Sequence, residues 1–215
     1  MTRQVLKQSL VVQLGIIYTR YLVGGAFVFA SLVKIKGHRF TQVADDAGGH
    51  SGGHFFEMMY QSGLYWQFLG WAQLVAGLLL LTQRFALLGA LVYVPIMANI
   101  FVITVSYDFG GTPVITGLML VAGLLLLAWD WNRLRVVVNR PAVPEATAPL
   151  FGSRRWEVVG AELFAFTAGY RAFTDRYNLL LWFGICVLVG AVGLGLAWWR
   201  YRAAAAPPER VAAGG

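Results

Sequence analysis

Cysteine is nearly missing from this chain. Cys186 is the single one in 215 residues. An intramolecular disulfide is excluded, no dithiol pair exists, and the redox compartment cannot be read from thiols. Charge is also scarce. Asp, Glu, Lys and Arg make up 13% of the sequence and apolar residues 58%, about half the charged share of a soluble domain. Such a composition has too much apolar surface for one aqueous core and calls for lipid. Familiar catalytic signatures are absent as well. There is no P-loop, GxGxxG, GxSxG or HExxH string, and no carboxylate pair at catalytic spacing. The string Asp108-Phe109-Gly110 matches a kinase fragment, but it lies between two apolar runs and is coincidental.

The balance of the charges is basic, net +7 from 14 Arg and 3 Lys against 10 acidic residues. The bases flank apolar segments and no basic run is interleaved with aromatics. That pattern excludes nucleic acid as a partner and fits membrane lipids.

Long apolar runs are what the chain does have. A spanning helix needs about 20 mainly apolar residues. Five candidates follow: Ile16 to Ile35, extending back towards Val11; Leu64 to Thr82; Phe85 to Tyr107, kinked at Pro95; Val114 to Trp129; and Asn178 to Trp199. The fold expected is all-α, a four-helix transmembrane bundle plus a fifth C-terminal transmembrane helix. The first run continues well past Arg20 without a small-residue cleavage site, so it reads as an uncleaved helix and not a signal peptide.

Three regions result: a membrane core over 1–135, a linker and amphipathic helix over 136–177, and the fifth helix with a disordered tail over 178–215. In the middle region Pro141, Pro144 and Pro149 mark an extended linker. Trp156, Val159, Leu163, Phe166 and Tyr170 are spaced 3, 4, 3 and 4 apart, one face of a helix. Its charges place that helix in the membrane interface on the cytoplasmic side. With five spans, ten Lys and Arg fall on the side of the N-terminus and six on the other, so the N-terminus is expected in the cytoplasm. Arg200 and Arg202 oppose this arrangement, because it puts them outside.

Aromatic pairs mark helix ends: Tyr65 with Trp66, Tyr107 with Phe109, Trp129 with Trp131, and Trp198 with Trp199. Small residues, Gly24, Gly25, Gly70, Gly77, Gly190 and Gly193, offer close helix packing.

The candidate chemistry is polar groups within apolar runs. Charge at the bilayer centre costs at least ~2.5–3.5 kcal/mol and is therefore paired, functional or snorkelling. Arg20 and Lys34 are fourteen residues apart, which puts them on one face of the first helix, ~21 Å apart along its axis. Either both snorkel to the two surfaces, or they point inward and hold an anion, a carboxylate or a polar ligand head. Gln73, Asn99 and Asp108 are polar neighbours in the next helices. Asp130 is a counter-ion for Arg20 and Asp108 one for Lys34. The outer loop, Gly37 to Gly63, holds all three histidines. His50, His54 and Glu57 have metal-ligand spacing on a helix, but the glycines among them favour a mobile loop and no metal site.

The string RYLVGGAFVFASLVKIKG, then FLGWAQLVAGLLLLTQRFALLGA, PIMANIFVIT and a GTP turn, resembles the DoxX-like membrane family over roughly Ile16 to Arg135. The resemblance implies a four-helix bundle in the bacterial inner membrane. It also implies association with membrane redox systems, since the family is named for a small subunit of a thiosulfate:quinone oxidoreductase. Arg20, Lys34, Gln73 and Asn99 fall in its recurring polar positions, and a quinone is the candidate cofactor. The first expectation is a non-catalytic accessory subunit with other integral membrane subunits as partners. A quinone- or lipid-binding oxidoreductase component is the second. A small-solute transporter is third, since no internal repeat is visible.

Overall fold

The computed structural model describes residues 3–40, 51–137, 139–141, 150 and 153–205. Among the described residues there are nine helices and no strand. They are α1 (Arg3–Gln8), α2 (Leu10–Ile35), α3 (Gly52–Gln61), α4 (Leu64–Leu81), α5 (Ala86–Ser106), α6 (Thr112–Trp129), α7 (Trp131–Val137), α8 (Arg154–Phe173) and α9 (Leu179–Ala205). Five of them, α2, α4, α5, α6 and α9, are long and apolar enough to cross a membrane. Large apolar side chains such as Leu22, Phe68, Leu118, Leu125 and Leu188 are exposed on their outer faces. With no water to pair backbone groups, only helices satisfy such segments in lipid. The chain is an all-α, multi-pass membrane protein.

The bundle is α2, α4, α5 and α6. Glycines set how closely α2 and α4 approach. A Cβ at Gly77 would lie 2.6 Å from the Gly24 carbonyl oxygen, and one at Gly70 would lie 2.9 Å from the Lys34 Cβ. These helices therefore touch backbone to backbone, the use of small residues expected between membrane helices. Val23, Phe27, Leu80, Tyr93, Met97 and Leu126 fill the centre. The Tyr93 hydroxyl donates to the Met119 carbonyl at 3.0 Å and its ring meets Phe27 at 4.3 Å.

The bundle has two ends, named here for their buried cations. At the Arg20 end lie α1, the turn at 82–85, the start of α7 and the start of α8. Arg20 bonds to Gln83 and Asp130 there, and Lys7 sits over the Trp129 ring. At the Lys34 end lie the close of α2, α3, the turn at 107–111 and the α8–α9 turn.

Two sequence expectations are corrected. The amphipathic helix α8 does not lie across one end of the bundle. Its first turn meets Tyr21, whose hydroxyl donates to the Trp156 carbonyl, and Gly160 sits against the Leu81 carbonyl, where a Cβ would overlap. Its last turn brings Arg171 onto the Phe29 ring, and the following Asp175 bonds to Lys36 at 2.9 Å. So α8 runs along α2 from the Arg20 end to the Lys34 end. The first half of the expected face, Trp156, Val159 and Leu163, is buried, but in its second half Thr167 and Arg171 are buried in place of Phe166 and Tyr170, and its partners include α2 and α4. α8 is thus packed against the bundle. α9 then returns antiparallel: Trp182 packs on Phe29, Gly190 accepts from Tyr18, and Gly193 faces Val159.

The outer loop is also more ordered than its glycines suggest. From Gly52 it is helical. Ser51 caps the helix by accepting from the His54 amide at 3.1 Å, which satisfies an orphan donor. Phe55 and Phe56 stack on Tyr107 and Phe109, and Gly52 leaves room for the Phe109 ring. Capping and aromatic packing here outweigh the glycine penalty. His50, Asp45, Asp46, Pro144, Pro149 and the tail after Ala205 lie outside the described residues, while Ala203 to Ala205 continue α9.

Candidate functional site: a cavity beside Lys34

Trp66, Gly70, Gln73 and Gly77 are spaced 4, 3 and 4 apart, which places them on one face of α4. That face meets α2. Because Gly70 packs on Lys34 and Gly77 on Val28, Gln73 falls opposite the turn between them, at Ala30. Helical side chains lean towards their own N-terminus, and the Lys34 ammonium does so, donating to the Ala30 carbonyl at 2.9 Å. Lysine head and glutamine amide thus reach the same layer. Both are buried, at 4% and 2% exposure.

Between α2, α4, α5 and α6 at this level is a cavity of about 750 Å³. Lys34, Gln73 and Asn99 all line it. Phe40 and Trp66 flank the lysine, with ring centroids 4.5 and 5.3 Å from Nζ. Phe56 and Met59 of α3 cover the outer end, and Ala26, Phe27, Val92, Ile96 and Met119 form the apolar remainder. Pro95 shapes the α5 wall. It has no amide to give the Leu91 carbonyl and prevents close helical packing at that turn; Leu91, Pro95 and Asn99 share that face. The lining runs from Leu91 to Ile103, ~18 Å along α5. Phe68, Leu91 and Asn99 are exposed on the lipid side, so the cavity opens laterally between α4 and α5.

Two polar groups there are incompletely satisfied. The Gln73 Oε1 is buried without a hydrogen-bond partner, a state native structures rarely leave unexplained. The Lys34 ammonium has three donors; one goes to Ala30 and the rest face aromatic rings. Among the described residues no carboxylate pairs with it. Glu57 is engaged by Arg39 at 2.7 Å and Asp175 by Lys36 at 2.9 Å. Asp108 sits in the turn at positive φ and does not line the cavity; it is not the counter-ion expected for Lys34.

Arg20 belongs elsewhere. It takes the inward of the two alternatives, and its guanidinium reaches Asp130 at 2.9 Å and Gln83 at 3.1 Å. All three are largely buried. This is an inter-helix clamp and not part of the cavity. Of the five candidates, Lys34, Gln73 and Asn99 come together; Arg20 and Asp108 stand apart. The residues not anticipated are Phe40 and Trp66. Trp66 carried a signal, its register with Gly70 and Gln73; Phe40, beyond the helix end, carried none.

Over 112 residues, 51% of this chain and 71% of the relative, the sequence is 31% identical to the uncharacterized protein YwoB of Bacillus subtilis (strain 168). The chain belongs to the family of that protein. No family model matches it, and no solved structure does.

Proposed function

We infer that this protein binds an amphipathic ligand from the bilayer, a quinone or a lipid, as a component of a membrane oxidoreductase. The observation that carries the binding is one cavity holding a buried ammonium and an unpartnered amide oxygen above an apolar channel, the composition of a ligand site. The redox association rests on the likeness to DoxX-like proteins. Purification in mild detergent followed by native mass spectrometry tests the reading. A bound amphiphile is expected, and it should be lost in Lys34→Ala and Gln73→Ala. Protein that carries none, and takes up none when quinones and lipids are added, would overturn it. The accessory-subunit reading stands second. It is favoured by the exposed apolar side of α6, Val114, Leu118, Val121 and Leu125, and a stoichiometric co-purifying membrane protein would support it.

The same proposal includes a topology in the bacterial inner membrane. α8 supplies a sixth crossing. Its charges gather at its ends, and Val158 to Tyr170 contain only Glu162. α9 then brings the C-terminus back to the Arg20 end. That end holds Arg3, Lys7, Arg84, Arg133, Arg135, Arg140, Arg154, Arg155, Arg200 and Arg202, ten bases. Besides Lys34 itself, as Arg20 is left out of the ten, the Lys34 end holds Lys36, Arg39, Arg171 and Arg176, four. The positive-inside rule then puts both termini in the cytoplasm and removes the conflict over Arg200 and Arg202. Cysteine labelling checks this in a Cys186→Ala background. Arg176→Cys should react with an impermeant reagent in intact cells, and Ala205→Cys only after the cells are opened. The reverse pattern would restore five crossings.

A further inference from the structure

We propose that the ligand of this cavity is a single-chain amphiphile with a carboxylate head, bound by the Lys34 ammonium. This rests on the cavity being a ligand site, and it adds the chemistry of the head. The first reason is charge. Among the described residues, Lys34 is the one basic group in the lining and none is an acid. In a low-dielectric site a lysine keeps its ammonium form only beside an opposite charge and otherwise gives up the proton. The described carboxylates nearest in the fold are engaged by Lys36 and Arg39 or stand outside the cavity. One positive charge is matched by one negative charge. A neutral quinone leaves it uncompensated, and a phosphate dianion reverses the imbalance.

The second reason is hydrogen bonding. A carboxylate accepts only, through two oxygens. Lys34 retains donors beyond the one given to Ala30. The Gln73 amide lines the same cavity and can offer its NH₂. Asn99 offers a second NH₂ at the mouth. All three residues can then act as donors to one acceptor-only head.

The third reason is shape. The channel beyond Lys34 is lined by Ala26, Phe27, Val92, Ile96 and Met119 and contains no further charge. It opens sideways at Phe68 and Leu91. A single acyl chain can lie along α5 and leave by that mouth while its head stays beside Lys34.

The test uses the full-length protein in detergent, cross-linked by a diazirine-bearing palmitic acid. Palmitate, methyl palmitate and decylubiquinone compete for it. Palmitate should compete at least ~10-fold better than its ester, the scale of one charge-assisted bond. Lys34→Arg should keep that preference and Lys34→Gln should abolish it. Ester or decylubiquinone competing as well as palmitate in the parent protein would overturn the carboxylate assignment while leaving an amphiphile site in place. Absence of cross-linking or binding with all three would overturn the site itself. The parent comparison decides the matter even where a variant fails to fold.

Discussion

Arg20 and Lys34 stand on one helix, carry the same charge and are equally hidden. Their surroundings differ. Arg20 meets a carboxylate and an amide supplied by the end of α6 and the α4–α5 turn. Lys34 meets a backbone carbonyl and two aromatic rings, and borders about 750 Å³ of space. The fold answers one cation internally and leaves the other for something outside the chain. A buried charge with its partner holds a structure together, whereas one without marks a place where structure has been given up for binding.

This contrast can be broken by substitution. The largest effect is expected from Asp130→Ala, which strands the buried Arg20. A loss of ~3–5 kcal/mol is expected, read as a fall in unfolding midpoint in detergent. Replacing both partners, Arg20→Met with Asp130→Leu, should recover most of it; equal damage from the double change would mean that the pair is no clamp. Next comes Gly77→Leu, at the crossing between the two cations. Its Cβ would press on the Gly24 carbonyl at 2.6 Å, and overpacking costs ~1–3 kcal/mol. Gly15, with nothing within 4 Å of a new Cβ, is the control: Gly15→Ala should be tolerated.

Lys34→Met sharpens the contrast. In ligand-free protein it should leave stability unchanged or raise it by about 1 kcal/mol, since an unpaired buried charge is removed. A loss as large as that of Asp130→Ala would make Lys34 a structural residue. The smallest effect concerns the cover over the cavity. Hydrogen bonding from Arg39 holds the Glu57 carboxyl down to about 2. The folded value lies below the unfolded one, so the tie stabilises above about pH 4.5 and is lost as pH falls towards 2. Arg39 is exposed and Glu57 only half-buried, so the gain is slight. Amide protection in α3 should weaken across that window in the parent and show no such step in Glu57→Gln.

The spans were legible because apolar runs of about 20 residues have few alternatives. α2, α4, α5 and α6 begin and end within a few residues of their expected limits, with α2 starting at Leu10, next to the Val11 to which its run extends back. α8 was legible as a helix but not as a neighbour of α2. Its charges, counted over the whole segment, argued against the bundle, whereas their position at its two ends permits it. The glycine-rich loop hid α3 because capping by Ser51 and stacking on Phe109 are tertiary effects that local propensity does not contain. Within the site, Lys34, Gln73 and Asn99 stood out as polar groups in apolar surroundings. Their convergence depended on the α2–α4 register, which Gly70 and Gly77 set by contact.

That glycine contact has a mechanical side. At Gly24 and Gly77 two backbones meet with no side chain between them, so this level of the bundle has almost no slack. Below it the Arg20 clamp ties α2 to α6 and to the turn after α4. Above it the walls are separated by empty volume and by Pro95. Gly70 holds α4 on α2 at the Lys34 level as well, so the helices that form tongs are α4 and α5, hinged where Gly89 meets Leu79 and Leu80, and a guest can spread only their outer half. Spin-label pairs joining α4 to α5 near Phe68 and Val102 should show a broad distance distribution that narrows on loading. Pairs near Leu79 and Leu87 should stay narrow throughout.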